Sequence, residues 1–148
     1  MRNFQSYPAK ITQEEGQYTV FFRDLPNTFT YGDTYGEALE NAKEVLELMV
    51  EEMIKDEEEF NPPSARREDE VDIFMPFHLS FSLLLRTERK RRGLTQAQLA
   101  ELLGVTQQQE AKLEKPSQER KINTIVNVLD KMGYTLQLRE RDVEEIRQ

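Results

Sequence analysis

The sequence predicts an α+β protein of two modules: a βββαβ unit over residues 1–75, then a helical unit over residues 78–148 with a short C-terminal strand. Three observations carry this. Apolar residues first alternate at every second position, then recur at three and four spacing, the periods of strand and helix. Two Thr-x-x-Gln pairs, Thr95/Gln98 and Thr106/Gln109, flank Gly104-Val105, which is the layout of a helix-turn-helix. The charge is also divided. Residues 1–75 hold 7 Lys and Arg against 18 Asp and Glu, a net −11, whereas residues 76–148 hold 13 against 10, a net +3. Opposed halves imply modules with different partners.

The first strand is set by Tyr7, Ala9 and Ile11, and Glu14-Glu15-Gly16 supplies a turn. Tyr18, Val20 and Phe22 alternate in the second. Phe21 points to its other side, so both faces of this strand are expected to be covered. Leu25-Pro26-Asn27 ends it, and Thr28 to Tyr31 forms the third strand, stopped by Gly32. Thr34 and Glu37 make a capping box for a helix whose Ala38, Leu39, Ala42, Val45, Leu46, Met49, Met53 and Ile54 would face the sheet. Glu40, Glu44, Glu47, Glu51 and Glu52 lie on or beside its other face. Pro62-Pro63 prevents residues 56–70 from continuing as helix. Val71, Ile73 and Met75 alternate as a fourth strand, and the boundary falls near residues 76–80.

The second module opens with a helix from Leu79 to Arg92, whose basic end, Arg89-Lys90-Arg91-Arg92, suits a helix C-terminus before Gly93. Thr95 caps the next helix, with Leu94 and Leu99 spaced as a hydrophobic staple. Thr106 caps a third, ended by Pro116. Ile122, Ile125, Val126, Leu129 and Met132 mark a fourth, closed by Gly133. Tyr134, Leu136 and Leu138 alternate as a final strand, followed by the charged tail RERDVEEIRQ.

Composition excludes several functions. The chain contains no Cys, which removes disulfides and thiolate metal sites. No apolar run approaches the ~20 residues that span a bilayer, and the N-terminus has no leader-like stretch, so a cytoplasmic location without membrane contact is expected. His78, the single histidine, reads as a boundary or helix-start residue, since one imidazole without other ligands makes a poor metal site. A helix-turn-helix lays its second helix in the major groove of double-stranded DNA. Gln107, Gln108, Gln109 and Lys112 stand near the start of that helix, where an amide can pair with adenine. Gln96 at the start of the preceding helix faces phosphate, and Arg91, Arg92 and Lys121 are further phosphate contacts. One such helix reads few base pairs, so a homodimer or higher homo-oligomer on a palindromic operator is expected. The lone strand at Tyr134, Leu136 and Leu138 would pair across that dimer.

Residues 79–138, LLLRTERKRRGLTQAQLAELLGVTQQQEAKLEK followed by INTIVNVLDKMGYTLQL, resemble Xre/Cro-type helix-turn-helix domains. Such domains carry an apolar residue four positions after the second cap, where this chain has Glu110. Either that helix is rotated or Glu110 faces outward. YPAKI, GQYTVFFRDLPNTFTYGDTYGEALENAKEVLEL and NPPS resemble the HicB antitoxin family, and the likeness covers nearly the whole chain. Asn27 stands where that family often has Gly, an exchange that Asn tolerates in a left-handed turn.

The resemblance implies a degenerate RNase H-like first domain that binds a small basic HicA-like toxin, an mRNA-cleaving protein. It also implies a second domain that represses the operon encoding the pair. It assigns no toxin-contact residues here. Catalysis, cofactors and metals are not expected, because a metal nuclease needs carboxylates converging on strand ends. Asp24 and Asp33 flank loops instead, and Glu37 serves the cap. The competing reading is a free-standing transcription regulator whose first module binds a small ligand.

Overall fold

A computed structural model describes residues 3–59 and 61–141. Strands β1 (Ser6–Glu14), β2 (Gln17–Phe21) and β3 (Phe29–Gly32) precede helix α1 (Tyr35–Lys55) and strand β4 (Glu70–Phe74). Helices α2 (Phe77–Arg91), α3 (Gln96–Leu103), α4 (Gln107–Leu113) and α5 (Ile122–Met132) follow. The sheet is antiparallel in the order β3-β2-β1-β4. β1 is shared by halves: Ser6 to Lys10 pair with β4, and Lys10 to Glu14 pair with β2. Pro8, which has no N–H, lies in the half that pairs with β4 alone, where proline is tolerated.

The period-2 residues face α1 as expected. Tyr7, Ala9, Val20 and Ile73 are fully buried together with Ala38, Ala42, Leu46 and Val50 of the helix. The Thr34 hydroxyl accepts the Glu37 N–H at 3.1 Å and starts α1. Close packing there requires a glycine: a Cβ on Gly32 would stand 2.5 Å from the Ala38 nitrogen. Asn27 adopts φ 51°, the left-handed turn anticipated for it.

The expectation that both faces of β2 are covered fails. α1 packs on one face only, and Phe21 is 48% exposed on the other, beside Phe29 at 58% and Tyr31 at 59%.

The 56–70 connection is tied down by charge. Arg23 donates from Nε and Nη2 to the two Glu70 oxygens at 2.8 and 2.9 Å, from Nη1 to Asp24 at 3.0 Å, and from Nη2 to the Ala65 carbonyl at 2.7 Å. Ser64 donates its N–H and hydroxyl to the other Asp24 oxygen at 2.9 and 2.8 Å. Burial alone would raise the Glu70 carboxyl, but the Arg23 hydrogen bond and the Arg67 N–H outweigh it and hold the carboxyl below its ordinary range. The Tyr7 hydroxyl donates to the Asn61 carbonyl at 2.8 Å, and burial raises its pKa, so it stays protonated.

The modules meet without a spacer. Arg86, in the middle of α2 and 3% exposed, donates to the carbonyls of Met53 at 2.8 Å and Glu58 at 3.0 Å, at the end of α1. Apolar side chains from Phe4 to Met132 form one continuous buried cluster.

The expected strand over Tyr134–Leu138 is absent from the single chain. The segment is irregular, and among the described residues no strand pairs with it. Tyr134 is anchored edge-on against Phe4, while Leu136 and Leu138 are exposed. Most of the charged tail, residues 142–148, lies outside the described residues. Among the described residues, no helix is long and apolar enough to cross a membrane.

Removing one partner of a buried ion pair strands the other. Arg23→Met is expected to lower the unfolding free energy by roughly 3 kcal/mol, seen as a lower urea midpoint at unchanged slope, and adding Glu70→Leu should restore most of it.

Candidate nucleic-acid interface

Helices α3 and α4 form as the two Thr-x-x-Gln pairs require. Thr95 accepts the Gln98 N–H at 3.1 Å while the Gln98 side chain accepts the Thr95 N–H at 2.9 Å. Thr106 and Gln109 repeat both bonds at the same lengths. Between them Gly104 takes φ 70°, the left-handed turn that lets the second helix cross the first. Leu99, Ala100 and Leu103 are buried, as are Ile125, Val128 and Leu129 of α5, and Lys131 donates to the Leu103 carbonyl at 2.6 Å.

The short helix α4 is held from behind by charge. Arg89 of α2 grips Glu114 through two bonds of 2.8 and 3.0 Å. Ser82 donates to the Leu113 carbonyl at 3.1 Å. Arg120 lies over the Phe81 ring at 5.1 Å and donates to the carbonyls of Lys112, at 3.1 Å, and Lys115. The Ser82 hydroxyl and the Arg120 guanidinium thus satisfy carbonyls that the C-terminus of α4 leaves open. None of this was visible in the sequence: Arg89 and Glu114 are 25 positions apart, and no local pattern couples them.

Glu110 takes neither of its expected positions. The helix keeps its register, and Glu110 points inward with 0% exposure, filling the place of an apolar residue. Neither of its oxygens has a hydrogen-bond partner among the described residues. Burial, and then the Glu114 carboxylate four residues on, push its pKa far above the ordinary carboxylate range; Arg89 opposes this only in part. Glu110 is therefore protonated and uncharged at neutral pH, so it brings no negative charge to the outer surface.

On the outer side, Gln107, Gln108, Gln109, Lys112 and Lys121 are exposed and Gln96 is half-buried. Three of the eight candidates are engaged within the chain. The Gln109 carbonyl serves the capping box. Arg91 pairs with Glu88 at 2.6 Å, and Arg92 lies 3.7 Å from Glu88 and donates to the Met132 carbonyl at 2.9 Å. The cause is Glu88 itself, 1% exposed, which draws the basic end of α2 inward. Gln96 and Gln107 border a cleft of about 1240 Å³ whose other wall includes Glu51 and Glu57 at the end of α1. Asp24 and Glu70, carboxylates that a nuclease would need free, are occupied by Arg23. Among the described residues, no group of three or more His, Asp or Glu is arranged to hold a metal. His78 lies in the first turn of α2.

Residues 6–82 match the HicB_like antitoxin of bacterial toxin-antitoxin systems, and residues 85–137 match a helix-turn-helix family. Antitoxin HicB 2 of Photorhabdus laumondii is 33% identical over 89% of this chain and 94% of its own. Antitoxin HicB of Escherichia coli K12 is 29% identical over 89% of this chain and 96% of its own. An uncharacterized 14.9 kDa protein of Haemophilus phage HP1 is 42% identical over 36% of this chain and 40% of its own.

A buried carboxyl that takes up a proton favours folding at low pH. Between its ordinary pKa and its raised one, the folded chain holds a proton that the unfolded chain has released, so stability falls as pH rises. Glu110→Leu is expected to be at least about 1 kcal/mol more stable at neutral pH. Its advantage over the parent should grow as pH climbs above the ordinary carboxylate range, as urea titrations across that range would show.

Proposed function

This chain belongs to the HicB-like antitoxin family, and from that premise we propose a division of labour. The sheet module, residues 1–75, neutralises a HicA-like mRNA-cleaving toxin, and the helix-turn-helix module, residues 78–148, represses the chain's own operon. The observation that carries the DNA half is α4. Its outer side presents Gln107, Gln108 and Lys112 to solvent, while Arg89, Ser82 and Arg120 fix the helix from within. A helix so held can offer amides to base edges with little further loss of backbone freedom on binding. Gln96 and Lys121 are assigned to phosphate. Arg91 and Arg92 are given a weaker part, since each must share its charge with Glu88.

The charge division supports the same assignment. A module of net −11 repels nucleic acid and attracts a basic protein, while the other half carries net +3. Two copies acting together complete the reading. Leu136 and Leu138 are exposed at alternate positions of an irregular segment, and a symmetric partner would give that segment a ladder.

Gln107→Ala with Gln108→Ala is expected to weaken binding to a duplex carrying the chain's own promoter by about tenfold or more, while toxin neutralisation in co-expression is retained. Equal loss of both would contradict the division. Leu136→Ser with Leu138→Ser is expected to shift the chain from dimer to monomer in light scattering without lowering its melting temperature; an intact dimer would remove the segment from the interface.

A further inference from the structure

We propose that the toxin docks on the open face of the sheet, anchored by Phe21, Phe29 and Tyr31; this rests on the antitoxin reading above. The register makes these rings one surface. Phe21 stands opposite Phe29, and Tyr31 stands opposite Thr19, two residues along the same face. All three rings are about half exposed, on the side away from α1. β3, which carries two of them, is an edge strand.

The charge around the rings matches a basic visitor. The β1–β2 turn holds Glu14 and Glu15, and Asp33 follows Gly32 at the same end of the sheet, since Gly32 pairs with Tyr18 and Gln17 with Glu14. All three carboxylates are exposed. The cation directly opposite Phe21 on β1, Lys10, sits 3.4 Å from Asp69 and is offset by it. An apolar centre with an acidic rim is the arrangement in which aromatic anchors supply affinity and charge speeds encounter.

Other surfaces fit less well. The outward side of α1 has Glu40, Glu44, Glu47 and Glu51, but only Leu48 as a large exposed apolar group there. Exposed charges without apolar anchors contribute little affinity. The exposed Ile122, Val126, Leu136 and Leu138 belong to the module of net positive charge, which disfavours a basic partner. A second copy on the sheet face would bring two modules of net −11 together.

The test uses the full chain and the product of the gene adjacent to its own. Affinity is measured by calorimetry, with melting temperature and binding to the promoter duplex as controls. Phe21→Ser with Tyr31→Ser is expected to weaken the complex by about 30-fold or more with both controls unchanged. Phe29→Lys should weaken it more than Phe29→Glu, because the partner is basic. If these variants bind as the parent does while Glu44→Lys with Glu47→Lys releases the partner, the sheet face is wrong and the antitoxin reading stands. A parent chain that binds no adjacent product sinks both. Loss of self-association in the Phe21/Tyr31 variant would assign the face to a second copy and overturn the proposal.

Discussion

One buried guanidinium determines how the two halves of this protein sit together. Arg86 rises from the middle of α2 and binds the carbonyls of Met53 and Glu58 where α1 ends. A helix C-terminus that is buried must have its carbonyls satisfied, and here the donor comes from the neighbouring module. The arrangement joins a sheet unit and a helix-turn-helix that would otherwise be two small cores. Burial pulls the pKa of Arg86 downward, yet guanidinium is basic enough to stay charged. Because both acceptors are backbone atoms, the joint holds whatever side chains α1 shows to solvent.

Charge is used differently inside each module. In the sheet unit, Arg23 ties the Asp24 segment to Ser64, Ala65 and Glu70, so two sequence fragments about 40 residues apart, R-D-L-P and N-P-P-S, become one loop cluster. In the helical unit, the pair Arg89–Glu114 fixes α4 from behind. Both pairs are mostly buried, and both commit their carboxylates to architecture. The exposed acids, by contrast, crowd one half of the chain and leave the helix proposed to read DNA with glutamines and lysine.

Local chemistry made most of the fold legible. Thr95 and Thr106 start their helices with full capping boxes as read, Thr34 starts α1 through its hydroxyl alone, Gly104 and Gly133 end their helices in the left-handed turn, and the alternation through Tyr7, Ala9 and Val20 picks out the buried sheet face. What failed depended on partners far away in sequence. Phe21 was expected to be covered because apolar residues on both sides of a strand imply two packed faces, but the module has only one helix to pack. Tyr134 to Leu138 alternate like a strand, but a ladder needs a neighbour, and none of the described strands lies beside them. Arg91 and Arg92 keep their assignment to phosphate, but the burial of Glu88, only three and four residues before them, and its hold on both were not legible locally. The inward position of Glu110 was also missed: the likeness to Xre/Cro-type domains called for an apolar residue there, and the charge of a carboxylate argued for an outward or rotated one.

That last residue has a genetic consequence. The codons for glutamate, GAA and GAG, lie one base from those for valine, GTA and GTG. Glu110 is fully buried with neither oxygen hydrogen-bonded among the described residues, so valine would remove an unbonded carboxyl from the interior at the cost of a few atoms of packing. The helix assigned to operator reading is therefore a single substitution from firmer seating. Laboratory selection for thermal tolerance should reach this codon early, since natural chains sit well short of their stability optimum.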